Sequence, residues 1–236
     1  MLTDKTILIA GGVTGLGSAL ALAAAGNGSQ VVLCDFPHHE MAIQNVLKIA
    51  QEQAVADKIS FIPADFANEN EIERIFEVLF DRKVDIQVLI NNMEGVITKS
   101  TKSLLTISLS EWDHTLHQSL RRAFWLSKYA VNEFLSSSEI CRILHILCEE
   151  NSSPVVQSGM YAFIRSLAKE YGRRHITTNM LLSDVEYDSS AASLPDPVIQ
   201  TALFMVSDQA SFINGERIHV SRKENTQKTM ASEALL

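Results

Sequence analysis

The sequence predicts an α/β fold: a single domain built on one doubly wound parallel sheet of about seven strands flanked by helices. Three observations carry this expectation. Short β-branched, apolar runs alternate with longer amphipathic stretches, and parallel strands require crossover connections of that kind. The strand candidates are apolar throughout, as in a sheet covered on both faces. At 236 residues and 46% hydrophobic, the chain can fill one complete core, and no linker, repeat or low-complexity tract divides it.

Taken in order, strands are expected over 6–10, 30–35, 58–62, 87–91, 141–147, 177–182 and 216–220. Helices are expected over 16–27, 38–54, 69–81, 110–135, 157–172 and 197–207. Asn68 followed by Glu71, and Ser108 followed by Glu111, resemble capping boxes that open two of these helices. The domain is expected to span 1–223, and the polar stretch 224–236 reads as a tail over the surface or a neighbouring subunit.

Composition excludes several classes. Lys and Arg total 20 against 28 Asp and Glu, a net charge of −8, and no basic run offers a nucleic-acid surface. The apolar content excludes intrinsic disorder. Cys34, Cys141 and Cys148 are odd in number and lack metal-ligand spacing, so neither a disulfide scaffold nor a metal site is expected, and a reducing cytoplasm is the simplest home. Residues 7–26 form an almost uncharged run that looks like a signal peptide, but Gly11, Gly12, Gly15 and Gly17 interrupt it and Asp4 weakens its basic flank. A second buried strand follows at once, so no membrane segment is expected. His114 and His117 stand one helical turn apart beside Asp113, without a third ligand.

The loop Ala10-Gly11-Gly12-Val13-Thr14-Gly15-Leu16-Gly17 joins the first strand to the first helix. Glycines there permit positive φ and close backbone approach to a pyrophosphate, while the helix N-terminus supplies N–H groups and positive dipole. The alternative is a turn needed only to pack helix on strand. Asp35 ends the second strand eighteen positions after Gly17, where a carboxylate can accept both ribose hydroxyls of NAD and repel the 2′-phosphate of NADP. Capping of the next helix is the alternative role for Asp35.

The Gly-x-x-x-Gly-x-Gly spacing resembles the short-chain dehydrogenase/reductase family, and the resemblance runs to the final dozen residues or so. It implies a Rossmann-type fold in which Gly11, Gly15, Leu16, Gly17, Asp35, Asp65 and Asn91 hold NAD, with NADP less favoured. Asp65 in Ala-Asp-Phe resembles the adenine-contacting Asp, and Asn91-Asn92 the start of Asn-Asn-Ala-Gly. Trp112-Asp113 begins the long helix as in many members, and residues 207–215 resemble the C-terminal signature of acyl-carrier-protein reductases and glucose dehydrogenases.

The departures fall on the catalytic set. Counting thirteen residues from Cys148, which stands where the family has Ser, reaches Tyr161 at the position of the proton-transferring Tyr. Arg165 replaces the Lys four residues on, and Ser119 replaces the Asn of the preceding helix. Arg stays cationic but is bulkier and planar, and a thiol is a weak hydrogen-bond donor. Glu149 and Glu150 disfavour a thiolate, and Ser152 or Ser153 substitutes for the missing hydroxyl only if the loop folds inward. Met93-Glu94 and Ser183-Asp184 replace Ala-Gly and Pro-Gly beside the cofactor, and 184–195 is too short for the usual substrate lid.

Two functions follow from the resemblance. One is an NAD-linked oxidoreductase acting on a small carbonyl or alcohol, either like a 3-oxoacyl reductase or like a sugar or alcohol dehydrogenase. The other is a catalytically impaired homologue serving as a cofactor-binding or assembly subunit. The family's pairing of helices 110–135 and 157–172 implies a homodimer or homotetramer, or partnership with another member.

Overall fold

The computed structural model describes residues 2–93, 105–137, 139–184, 187 and 196–221. Glu94, most of 185–195 and the tail 224–236 lie outside the described residues. Seven parallel strands form one sheet: β1 (Thr6–Ala10), β2 (Gln30–Asp35), β3 (Ile59–Pro63), β4 (Val88–Asn92), β5 (Cys141–Cys148), β6 (Ile176–Ser183) and β7 (Arg217–Val220). Their spatial order is β3-β2-β1-β4-β5-β6-β7. The order therefore reverses between β1 and β4, and the crevice outside the carboxyl ends of those strands is where such sheets bind ligands.

Strand alternation divides the core into two layers. On one face Ile7, Ile9, Val31 and Leu33 pack against α1 (Gly15–Gly26), α2 (Glu40–Glu52) and α7 (Pro197–Met205). On the other, Leu8, Ala10, Val32 and Cys34 pack against α3 (Glu69–Asp81) and α5 (Arg122–Phe134). A third cluster lies under α6 (Pro154–Tyr171) and contains Met93, Leu147, Met160, Ile164 and Met180. Met93 thus fills the core with 1% exposure and does not crowd the crevice.

The expected helix over 110–135 divides into α4 (Leu109–Leu116) and α5, joined by a π-helical turn at His117–Arg121. The Ser108 and Glu111 side chains complete a reciprocal capping box on α4, whereas Asn68 caps α3 by accepting from the Asn70 N–H. Helix α6 starts three residues before the expected 157, because Ser153 accepts from the Val156 N–H and Pro154 fits the first helical turn. Among the described residues no helix is long and apolar enough to cross a membrane.

Candidate functional site

The glycine loop wraps tightly against its own chain. Gly11 has φ +78°, and a Cβ there would lie 2.5 Å from the Asn92 carbonyl oxygen and 3.0 Å from Nη2 of Arg122. A Cβ at Gly17 would lie 2.0 Å from the Gly11 carbonyl oxygen, so helix α1 packs directly on the loop. Gly15 differs: its φ is +49° and nothing lies within 4 Å of where its Cβ would be. Thr14 stands at the N-cap of α1 without a side-chain bond, and Leu16 is buried in the core beneath. The open start of α1 thus keeps donors suited to a phosphate.

The adenosine end is different. Asp35 is turned inward, its side chain 4% exposed. Its carboxylate accepts the Val13 N–H at 3.1 Å and the Phe36 N–H at 2.8 Å, and meets Nδ1 of His39 at 2.8 Å. A carboxylate offers about four lone-pair sites, and three are spent within the chain. Asp65 is half-buried and accepts the Ala67 N–H at 2.9 Å, shaping the turn before α3. Asn91 is fully buried, its amide 3.2 Å from Nδ1 of His145, whose Nε2 lies 3.3 Å from the Ser127 hydroxyl. It is Asn92 that reaches the loop, donating to the Gly11 carbonyl at 3.0 Å.

Arg122, a residue the sequence reading passed over, fills the space between these groups. It is 1% exposed, its guanidinium lies 4.0 Å from the Phe66 ring centroid, and Nη2 donates to the Asn92 carbonyl at 3.2 Å. Burial lowers its pKa to about 10, offset in part by the Asp35 charge, so the group stays cationic at neutral pH. A signal was available: with Ala123, Leu126 and Ala130, Arg122 falls on the buried stripe of α5, where a charged residue has to be explained. A nicotinamide dinucleotide therefore fits at the open start of α1 and does not fit at the adenosine end as the side chains stand.

The π-helical turn that carries Ser119 packs against α6, with Leu120 3.1 Å from the Cβ position of Gly159. Tyr161 stands seven residues into α6, about 10 Å along the axis from Pro154, and packs against the cluster of Met93, Leu147 and Leu182 at the ends of β4, β5 and β6. Its ring is flanked by the guanidiniums of Arg217 at 5.3 Å and Arg165 at 5.9 Å. Arg217 pairs in register with Met180, three residues before the end of β6. Arg165 is exposed and lines an open groove of about 470 Å³ with Lys169, Asn214 and Glu216, beside the start of β7. Thirteen residues of spacing thus lead to a tyrosine set between two arginines, one of them on β7.

The other catalytic positions make local bonds. Cys148 is buried, and its carbonyl accepts from the Ser152 hydroxyl at 2.6 Å. The Ser119 hydroxyl, in the π-helical turn, donates to the Thr115 carbonyl. The residues at the mouth of α6 are Ser153, which caps the helix, and Gln157, which donates to the Ser152 carbonyl at 3.0 Å. At the β6 end, the Glu149 N–H donates to the Ser183 carbonyl at 2.7 Å, and Asp184 accepts from the Ser221 hydroxyl at 2.6 Å. Glu149 also pairs with His219 at 3.3 Å.

Comparisons with known proteins agree with this architecture. The curated relative 3-oxoacyl-acyl-carrier-protein reductase of Aquifex aeolicus is 26% identical over 247 residues, covering 93% of this chain and 97% of that protein. The (21S)-21-acetoxyl-apo-melianone synthase of Melia azedarach is 25% identical over 248 residues, covering 93% and 89%. Among solved structures, a citronellol catabolism dehydrogenase of Pseudomonas aeruginosa superposes with a TM-score of 0.77 at 21% identity, over 93% of this chain and 95% of its own. Residues 5–185 match the family described as short chain dehydrogenase. With the seven-stranded parallel sheet and the glycine loop at its switch point, that match shows that the chain belongs to the short-chain dehydrogenase/reductase family.

Proposed function

We propose that this oxidoreductase-family chain serves as an assembly or partner subunit and does not itself transfer hydride. The observation that carries the reading is the replaced catalytic set: Cys148, Arg165 and Ser119 stand where the family has Ser, Lys and Asn, and the Ser119 hydroxyl is spent on the Thr115 carbonyl. General acid catalysis requires the proton donor within hydrogen-bond reach of the reacting oxygen. At the mouth of α6 the Ser153 hydroxyl accepts from the Val156 N–H and the Gln157 amide donates to the Ser152 carbonyl.

The second reading is NAD-linked reduction of a carbonyl, with the 3-oxoacyl type suggested by the reductase relative. It is favoured by the uncapped start of α1 and the open space at Gly15. Family members bind NAD or NADP, and an Asp at the end of β2 repels a 2′-phosphate, although its inward turn spends acceptor sites that NAD would use.

Assays of NADH and NADPH oxidation with β-ketoacyl thioesters, ketones and quinones separate the two readings. The first expects no turnover above background, and no difference between the wild type and Tyr161→Phe. Turnover abolished by Tyr161→Phe would overturn it.

Assembly is supported by an apolar face on α5 and α6. Phe124 is 50% exposed, its ring 6.4 Å from that of Phe163, and Trp112 and Val155 are exposed nearby in sequence. A second copy covering these rings is the expected occupant. Light scattering at micromolar concentration should give a dimer or tetramer, and Phe124→Glu should shift it towards monomer. A strict wild-type monomer counts against self-assembly. The three cysteines are free and buried, in keeping with a cytoplasmic setting.

A further inference from the structure

We propose that Arg122 is a built-in occupant of the adenosine end of the crevice, its guanidinium covering the Phe66 face and the Asn92 carbonyl that an adenine base would use. Nucleotide binding then requires this side chain to be displaced. The placement comes from topology: Asn92 ends β4, Gly11 follows β1, and the strand order reverses between those two strands. Nη2 of Arg122 bonds the first of these residues and lies 3.0 Å from the Cβ position of the second. A dinucleotide lies across the same point in sheets of this kind.

The geometry of the occupant is that of a stacked base. A guanidinium is planar and pairs with aromatic faces, and this one lies 4.0 Å from the Phe66 ring centroid. Phe36 packs edge-on against Phe66 at 5.5 Å and stacks on His38 at 5.3 Å, so the same corner is lined by the chain's own rings. Asp35, the group that would take ribose hydroxyls, is drawn into the chain by Val13, Phe36 and His39.

The occupant is incompletely held. Nε and Nη1 of Arg122 have no hydrogen-bond partner among the described residues, although the side chain is 99% removed from solvent. Buried guanidinium donors are ordinarily all satisfied, so a side chain with one bond and one stacking contact costs less to displace than a fully paired one. Arg122 thereby sets nucleotide affinity, and its effect is readable whether or not the chain turns over.

The test is the affinity of ADP, which isolates the adenosine half, and of NADH, followed by calorimetry and NADH fluorescence. Arg122→Ser is expected to bind both at least tenfold tighter than the wild type. Equal or weaker binding by a folded variant, judged by circular dichroism and a cooperative melt, overturns the proposal. Should Arg122→Ser fail to fold, Arg122→Lys keeps the charge and the stem but has no planar face. It is expected to bind tighter in the same direction, and the same null result overturns the proposal. Tight binding without hydride transfer leaves the proposed non-redox function standing, whereas turnover gained by Arg122→Ser would refute that function and keep the occupant.

Discussion

Gly17→Ala is expected to destabilise the fold by about 3 kcal/mol or more, the range of severe overpacking. The added Cβ would sit 2.0 Å from the Gly11 carbonyl oxygen and 2.8 Å from the Gly12 Cα, and both are backbone atoms of the same tight loop. Neither can rotate away, so α1 has to lift from β1 and expose Leu16 and Leu20. Gly26→Ala is the matched control. It closes the same helix with nothing within 4 Å of the new methyl, and should be neutral or stabilise by up to about 1 kcal/mol. Urea unfolding of both variants reads the contrast, and equal stabilities would refute the close packing of loop and helix.

A second large effect concerns acid. His145 is fully buried, and burial followed by the nearby Arg122 charge lowers its pKa to about 3. An unfolded histidine titrates near 6.5, so below that pH the unfolded chain binds a proton that the folded chain refuses. The stability carried by neutral His145 is therefore complete above about pH 6.5 and is lost progressively as the pH falls towards 3. Between pH 7 and pH 5 the loss should be about 2 kcal/mol, at about 1.4 kcal/mol per unit below the unfolded pKa. His145→Gln should lack that increment whatever its own stability at pH 7. Parallel wild-type and variant pH profiles would contradict the buried neutral imidazole.

The elements of the fold were legible because their signals are local. The runs 6–10 and 30–35 coincide with β1 and β2, and the 69–81 periodicity with α3. The glycine spacing and the carboxylate at the end of β2 identified the crevice. What spacing could not convey was direction. Asp35 stands at the expected place, yet three donors from its own neighbourhood turn it inward. Tyr161 has the expected separation from Cys148, yet its ring lies between the guanidiniums of Arg165 and Arg217, the second a partner that no spacing announces. Arg122 was legible only as a charge on the buried stripe of α5, and the π-helical turn at His117–Arg121 directly before it breaks the helix expected over 110–135. A count along the chain gives positions, and the side-chain partners decide which way they face.

Calorimetric titration of the wild-type chain with NADH at neutral pH tests the central claim most directly, that the chain's own side chains occupy the nucleotide crevice. The account predicts a dissociation constant weaker than about 100 μM, roughly −5.5 kcal/mol. A submicromolar constant would show an adenosine site already free, contradicting both the inward Asp35 and the stacked Arg122 as barriers to the cofactor.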